Sequence, residues 1–196
     1  EIEQMRRAAG IVAEILEEVA AQVRPGVSTL ELDAVAEELT AKKGAQPAFK
    51  GYQVGGNTYP ATICISINDE VVHGIPSEKR RLRDGDIVGL DFGVRWQGWY
   101  GDSARTVPVG KVSAEAERLI AVTERALAAG IDAIAKDRHV EDISSAIQDV
   151  AEGAGFSVVR EFVGHGIGRR LHEDPQVPNY RFGSRGKRLS PGMVLA

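Results

Sequence analysis

One stretch constrains this chain more than any other: Gly89-Leu90-Asp91-Phe92-Gly93-Val94-Arg95-Trp96-Gln97-Gly98-Trp99-Tyr100-Gly101-Asp102-Ser103-Ala104-Arg105. It is entered by an apolar run, Ile87 to Leu90, and left by another, Arg105-Thr106-Val107, with a turn signal at Gln97-Gly98. That pattern predicts a β-hairpin. Asp91 and Asp102 lie in its two arms, eleven positions apart. A turn at Trp96-Gln97 sets them directly opposite each other, and a turn at Gln97-Gly98 makes them diagonal neighbours. Either way they point to one face, because side chains alternate with period two along a strand. Like charges that meet across a ladder destabilise it, so a pair of carboxylates on one face calls for a cation between them. Two readings stand at this point: exposed turn carboxylates, or a pair of metal ligands.

The rest of the chain bounds the answer. Its 196 residues, 43% of them hydrophobic, suffice for one substantial core and make a single domain the expectation. A formal charge of −4 argues against DNA binding, which asks for a basic face. Positive charge gathers only locally, at Arg169, Arg170, Arg181, Arg185, Lys187 and Arg188, which reads as a solvated loop, with contact to ribosomal RNA as the alternative. Cys64 is the one cysteine, so no intrachain disulfide forms, in keeping with a reducing compartment. No apolar run reaches membrane-spanning length and the first residues carry no signal-peptide pattern, so a soluble, cytoplasmic protein is expected.

In chain order, Ile2, Met5, Ala9, Val12, Ile15, Leu16, Val19 and Val23 recur at helical spacing and predict a helix over 2–23, stopped by Pro25-Gly26. Ser28 and Glu31 form a capping-box pattern that opens a second helix to about Lys43. A glycine-rich loop, Gly51 to Asn57, then carries Tyr52 and leads to Tyr59. Ile63-Cys64-Ile65-Ser66-Ile67 predicts a strand, followed by the turn Asn68-Asp69-Glu70 and the segment Val71-Val72-His73-Gly74-Ile75-Pro76. After the hairpin, Ser113 precedes a long helix (Leu119, Ile120, Val122, Leu127, Ile131, Ile134) and Ile143, Ile147 and Val150 mark another. Phe156 to Val163 is expected as a strand, and Met193 to Ala196 as the start of one more. The order helix, helix, strand, hairpin is thus loosely repeated, with Val27 and Leu30 matching Val140 and Ile143, as in a duplicated α+β half. Two such halves, about 1–110 and 111–196, would pack helices on a mainly antiparallel sheet.

Three of the four histidines sit where small residues open space around them. His165 is framed in Gly164-His165-Gly166-Ile167-Gly168, where flanking glycines remove bulk and allow a sharp turn. His172 follows in Leu171-His172-Glu173-Asp174-Pro175, and His73 lies beside Gly74 and Pro76. His139, at a helix start, is read as structural. Any one of these histidines taken alone is more often a packed or surface residue. Imidazole with aspartate gives a mixed nitrogen and oxygen donor set suited to Mn, Fe, Co or Zn, and together these residues point to metal-dependent hydrolysis.

These motifs taken together resemble the methionine aminopeptidases of type I: the Val71 to Pro76 segment, Asp91 and Asp102 with Gly-Asp-Ser ahead of Arg105-Thr106, Gly164 to Gly168 with His172-Glu173, and Ser190-Pro191-Gly192-Met193-Val194-Leu195-Ala196. The resemblance runs in order over essentially the whole chain. It implies the pita-bread (creatinase/aminopeptidase-like) fold, two pseudo-twofold-related halves, and removal of the initiator methionine from nascent chains at a centre of two divalent metal ions. It implies that Asp91 chelates one metal, that Asp102 bridges both and that His165 binds the other. His73 and His172 would act on substrate without binding metal, one near the scissile amide and one near its carbonyl oxygen. Tyr52, Tyr59 and Cys64 would wall the methionine pocket, a soft apolar surface for a thioether.

Two departures accompany it. The loop between Tyr52 and Tyr59 is a few residues longer than is usual in that family, and Phe49 stands where a cysteine is common. The family's two glutamate ligands have no counterpart at matching places, so the natural protein is expected to continue past Ala196, with an apolar residue, then Glu, then Pro, and a second glutamate further on. A monomer acting on peptides with amino-terminal Met is the resulting expectation, without membrane or DNA partners. The alternatives are an Xaa-Pro peptidase of the same fold, which would carry a large amino-terminal domain, and a metal-free binding protein on that fold.

Overall fold

An apolar stripe along α1 (Ile2–Ala20) starts the fold: Met5, Ala8, Ile11, Val12, Ile15, Leu16 and Val19, at intervals of three and four, are all buried. The helix ends before Arg24, and Gly26 takes a positive φ of 89° that turns the chain back. The computed structural model describes residues 1–54, 56–135 and 139–196; Gly55 of the glycine-rich loop lies outside them. α2 (Thr29–Lys42) opens with the expected reciprocal cap. Ser28 Oγ accepts from the Glu31 N–H at 3.2 Å and Glu31 Oε2 accepts from the Ser28 N–H at 2.8 Å, which satisfies two donors that a helix start leaves over.

Strands follow: β1 (Gln46–Pro47), β2 (Gln53–Val54), β3 (Asn57–Thr58), β4 (Ile63–Ile67), β5 (Ile87–Trp96) and β6 (Trp99–Pro108). β2 and β3 pair with each other, so the glycine-rich stretch forms a small ribbon where an open loop was expected. β5 is the spine of the main sheet, with β6 antiparallel along one edge and β4 and β1 antiparallel along the other. Val88, Leu90, Phe92 and Val94 of β5 are fully buried, together with Ile11, Val12, Ile15, Leu32, Ile63 and Ile65. Burying each such side chain is worth roughly 1.5–3 kcal/mol. The odd-numbered residues of β5 face the other way. Gly101 faces α1, where an added Cβ would come within 2.7 Å of the Ala8 backbone, so the helix crosses β6 closely beside Asp102.

These elements make one compact unit, Glu1–Ser113, joined by Gly168–Leu171. In it the Tyr100 N–H donates to the Gly168 carbonyl at 2.9 Å, and the Arg169 guanidinium lies 4.2 Å from the centre of the Trp99 ring.

A second unit holds Ala114–Ile167 and His172–Ala196. Its helices are α3 (Ala114–Ile134) and α4 (Val140–Gly153), and β7 (Gly164–Gly166) pairs antiparallel with β8 (Glu173–Val177). α3 buries small residues, Val122, Ala126 and Gly130, with Gly130 so close to α4 that a Cβ would meet Ile147 at 3.0 Å. Leu127 and Ile131 are 62% and 58% exposed, so the apolar pattern identified the helix but not which residues it buries. Asp142 Oδ2 accepts from the His139 N–H at the start of α4. The basic loop is tied to the same helix, with Arg181 on the Asp149 carboxylate and the Phe182 N–H on Glu141.

The strand expected over Phe156 to Val163 is absent: those residues have no regular structure, and Val159 and Phe162 are exposed. Apolar content there is real, but among the described residues no neighbouring strand supplies a ladder for it. Val194 to Ala196 do lie along β7, with the Ala196 and His165 backbones exchanging bonds of 2.7 and 2.8 Å. Among the described residues no helix is long and apolar enough to cross a membrane.

Candidate active site

The hairpin register settles how the two aspartates relate. Gln97 and Gly98 both take positive φ, 49° and 84°, as a two-residue hairpin turn that follows strand twist requires. Trp96 therefore pairs with Trp99, Asp91 with Ala104 and Gly93 with Asp102. Asp91 and Asp102 are diagonal neighbours on one face, both partly buried. Gly93 lies between them along the ladder. An added Cβ there would stand 3.0 Å from the Phe49 ring and 3.1 Å from Ala48, so β1 delivers an apolar wall beside the carboxylates. Sequence reasoning missed Ala48 and underrated Phe49, because they lie in the irregular stretch just after β1, which leaves no periodic signal.

On the other edge Asp91 pairs directly with Cys64. Burial above all, with the charges of Asp91 and Asp102 adding to it, pushes the Cys64 thiol up to about 12, although hydrogen bonds from the Tyr59 hydroxyl and the His73 N–H favour the thiolate. At neutral pH the Cys64 thiol is held in its neutral form, which is a poor nucleophile. Burial likewise raises Tyr59, whose hydroxyl lies 3.0 Å from the Gly74 carbonyl and 3.2 Å from that of Ile63, its one proton shared among these acceptors and Cys64. Tyr52 is brought opposite Tyr59 by the β2–β3 ribbon, its carbonyl accepting from the Tyr59 N–H at 2.9 Å.

His73 reaches this neighbourhood on an irregular segment. Val72 and His73 both sit in the left-handed region, φ 47° and 56°. That costs about 1–3 kcal/mol per residue and is a genuine outlier for β-branched Val. Gly74 follows because a Cβ there would fall 2.1 Å from the Ile65 carbonyl oxygen. Tyr59, Cys64, His73, Asp91 and Asp102 thus belong to one connected patch of the first unit. At its back, Asp33 of α2 accepts from the N–H groups of Thr62 and Ile63 at 2.8 and 3.1 Å, which fixes where β4 begins. Burial raises its carboxyl despite those two bonds.

In the second unit His165 and His172 lie ring to ring, centroids 4.4 Å apart and edge-on. The glycines around His165 serve close approach and not a left-handed turn: a Cβ on Gly166 would lie 2.3 Å from the Asp174 carbonyl oxygen, and one on Gly164 2.7 Å from that of Ala196. His165 Nδ1 is 2.9 Å from the Gly166 carbonyl. His172 and His73 are exposed and His165 is partly buried.

In the first unit, two carboxylates that share a face offer the oxygen donors that a divalent first-row ion accepts. Among the described residues no three His, Cys, Asp or Glu side chains are drawn together into a ready metal cluster.

Comparison with known proteins places this chemistry in a family. A family model described as Metallopeptidase family M24 matches residues 3–196. A methionine aminopeptidase of Clostridium perfringens is 50% identical over 196 residues, covering 100% of this chain and 77% of its own. Methionine aminopeptidase 1 of Bacillus subtilis is 49% identical over 192 residues, 98% of this chain and 75% of its own. The crystal structure of methionine aminopeptidase from Thermotoga maritima matches with a TM-score of 0.94 at 41% identity, covering 100% of this chain and 77% of that one. An Xaa-Pro dipeptidase from Bacillus anthracis matches less well, TM-score 0.82 at 28% identity, with 51% of its chain covered. The chain belongs to metallopeptidase family M24. Its fold is the α+β pita-bread fold of the methionine aminopeptidases and prolidases it matches, and it spans about three quarters of the length of the aminopeptidases.

Proposed function

We infer that this chain is a metal-dependent aminopeptidase that removes the initiator methionine from nascent proteins. The observation that carries this reading is the shared face of Asp91 and Asp102, backed by the neutral Cys64 and the Phe49 wall. Asp91, Asp102 and His165 would hold its divalent ions (Co, Mn, Fe or Zn), with the Asp102 carboxylate shared between two of them. When bound, such ions supply Lewis-acid polarisation and an activated water.

The chain's own groups do the rest. Tyr52, Tyr59 and Cys64 line the methionine side chain and exclude water from it. His172 donates to the carbonyl oxygen as negative charge builds there, and His73 holds the scissile amide by a hydrogen bond. Action as a cytoplasmic monomer belongs to the same reading, with the exposed Arg185, Lys187 and Arg188 as a solvated loop and contact with ribosomal RNA as the alternative.

Prolidases share the fold, so substrate choice is the deciding test. The metal-loaded protein should release methionine from a Met-Ala-Ser peptide and leave Ala-Pro intact. Cleavage of Ala-Pro with Met-Ala-Ser untouched would make it an Xaa-Pro peptidase, and no cleavage of either would favour the binding-protein alternative.

A further inference from the structure

The loop that carries His73 is clamped from outside, and the clamp is Arg80, the middle residue of the basic run Lys79-Arg80-Arg81. Arg80 Nη1 donates to the Ile75 carbonyl at 2.6 Å and to the Ile65 carbonyl at 3.2 Å, while Nη2 binds the Glu70 carboxylate. One guanidinium thus grips the loop at its start (Glu70), at its end (Ile75) and at the strand beneath it (Ile65). The three contacts use two nitrogens of one rigid, planar fork, whereas an ammonium would have to make them from a single rotatable nitrogen. Charge-assisted bonds of this kind are the stronger sort.

Arg80 is itself held to the core. Its carbonyl accepts from the N–H of fully buried Thr29 at 2.8 Å, and Thr29 Oγ1 and Ser77 exchange bonds of 2.9 and 3.1 Å beside it. Between the gripped ends, Gly74 is fixed by the Ile65 N–H, the Tyr59 hydroxyl and Ser66 Oγ, and the His73 N–H faces the Cys64 sulfur. What remains is the strained pair Val72-His73, whose left-handed backbone must be imposed by its surroundings.

We propose that Arg80 is a positioning residue for His73: by tying Glu70, Ile75 and Ile65 together it keeps Val72 and His73 in the left-handed conformation that presents the imidazole to substrate. This rests on the peptidase reading of His73, and the test keeps the two apart. A loop gripped only for stability would gain by relaxing the strained pair. Freeing it should therefore disturb His73 far more than it disturbs folding.

The experiment compares parent, Arg80→Ala, His73→Ala and the double variant on Met-Ala-Ser. Misplacing a catalytic group by about 1 Å costs up to roughly a hundredfold. Arg80→Ala alone should lower kcat by about tenfold or more, with KM and melting temperature little changed. In the His73→Ala background it should cost nothing further, since residues acting as a unit are not additive. Arg80→Lys, which keeps the charge but loses the fork, should fall between parent and alanine variant, and it carries the same comparison if the alanine variant does not fold. A second readout needs no activity: backbone amide spectra of the arginine variants should show Val72 and His73 shifting while His139 stays in place. An unperturbed Val72-His73 pair, full activity, or an equal loss in both backgrounds would overturn the proposal. Failure of the peptidase reading would show separately, as a parent that releases no methionine while the spectral shift persists.

Discussion

The two aspartates and the three histidines are held by opposite means. Asp91 and Asp102 ride on a ladder of ten backbone pairs from Ile87↔Pro108 to Trp96↔Trp99, and that register alone fixes which face they share. His73 sits on a left-handed segment gripped by side chains, and His165 and His172 flank a segment whose β7–β8 pairing slips between His165 and Gly166. A regular ladder survives the loss of a side chain. An irregular segment is only as well placed as the hydrogen bonds and close backbone approaches that hold it.

Substitutions can press on this difference. The largest effect is expected from Asp102→Asn: peptide hydrolysis should fall to background while circular dichroism and melting stay close to the parent, because the ladder does not depend on the charge. Retention of half the parent turnover would remove Asp102 from the centre of the site.

His172→Ala should lower kcat by about a hundredfold, the usual cost of an oxyanion donor, with metal content unchanged. A variant that purifies without metal would make His172 a ligand.

The smallest effect belongs to Asp33, behind the site. Its carboxyl is raised by burial, so its ionised form costs the folded state stability above that raised value, and the cost fades as pH falls towards the ordinary 3.8. Asp33→Asn keeps an oxygen for the Thr62 and Ile63 N–H groups and should change stability at pH 7 by no more than about 1 kcal/mol. Relative to the parent, the variant should fare better at pH 7 than at pH 4, as thermal melts at the two values would show. The reverse order would mean that the two hydrogen bonds outweigh burial.

The same contrast explains what could be read from the sequence. Period-two alternation made the shared face of Asp91 and Asp102 legible, and the Ser28/Glu31 cap and the strand Ile63–Ile67 are local patterns that stand as read. The choice between two registers needed the φ values of Gln97 and Gly98. The glycines beside His165 and His73 were legible as openings, but their reason, a neighbouring backbone within van der Waals distance, is a long-range fact. The pairing of β1 with Val94 and Arg95, the exposure of Leu127 and Ile131, the loss of a strand at Phe156 to Val163 and the placement of Gly168–Leu171 with the first unit all depend on partners far away in the chain.

If Asp91 and Asp102 hold metal, the amount of bound metal must depend on them. Parent and Asp102→Asn proteins would be loaded with Co or Mn, dialysed against metal-free buffer and analysed for bound metal by mass spectrometry. Divalent metal should stay with the parent and leave the variant, since a carboxylate shared between two ions would anchor both. Equal metal in the two proteins would contradict it and return Asp91 and Asp102 to ordinary hairpin carboxylates.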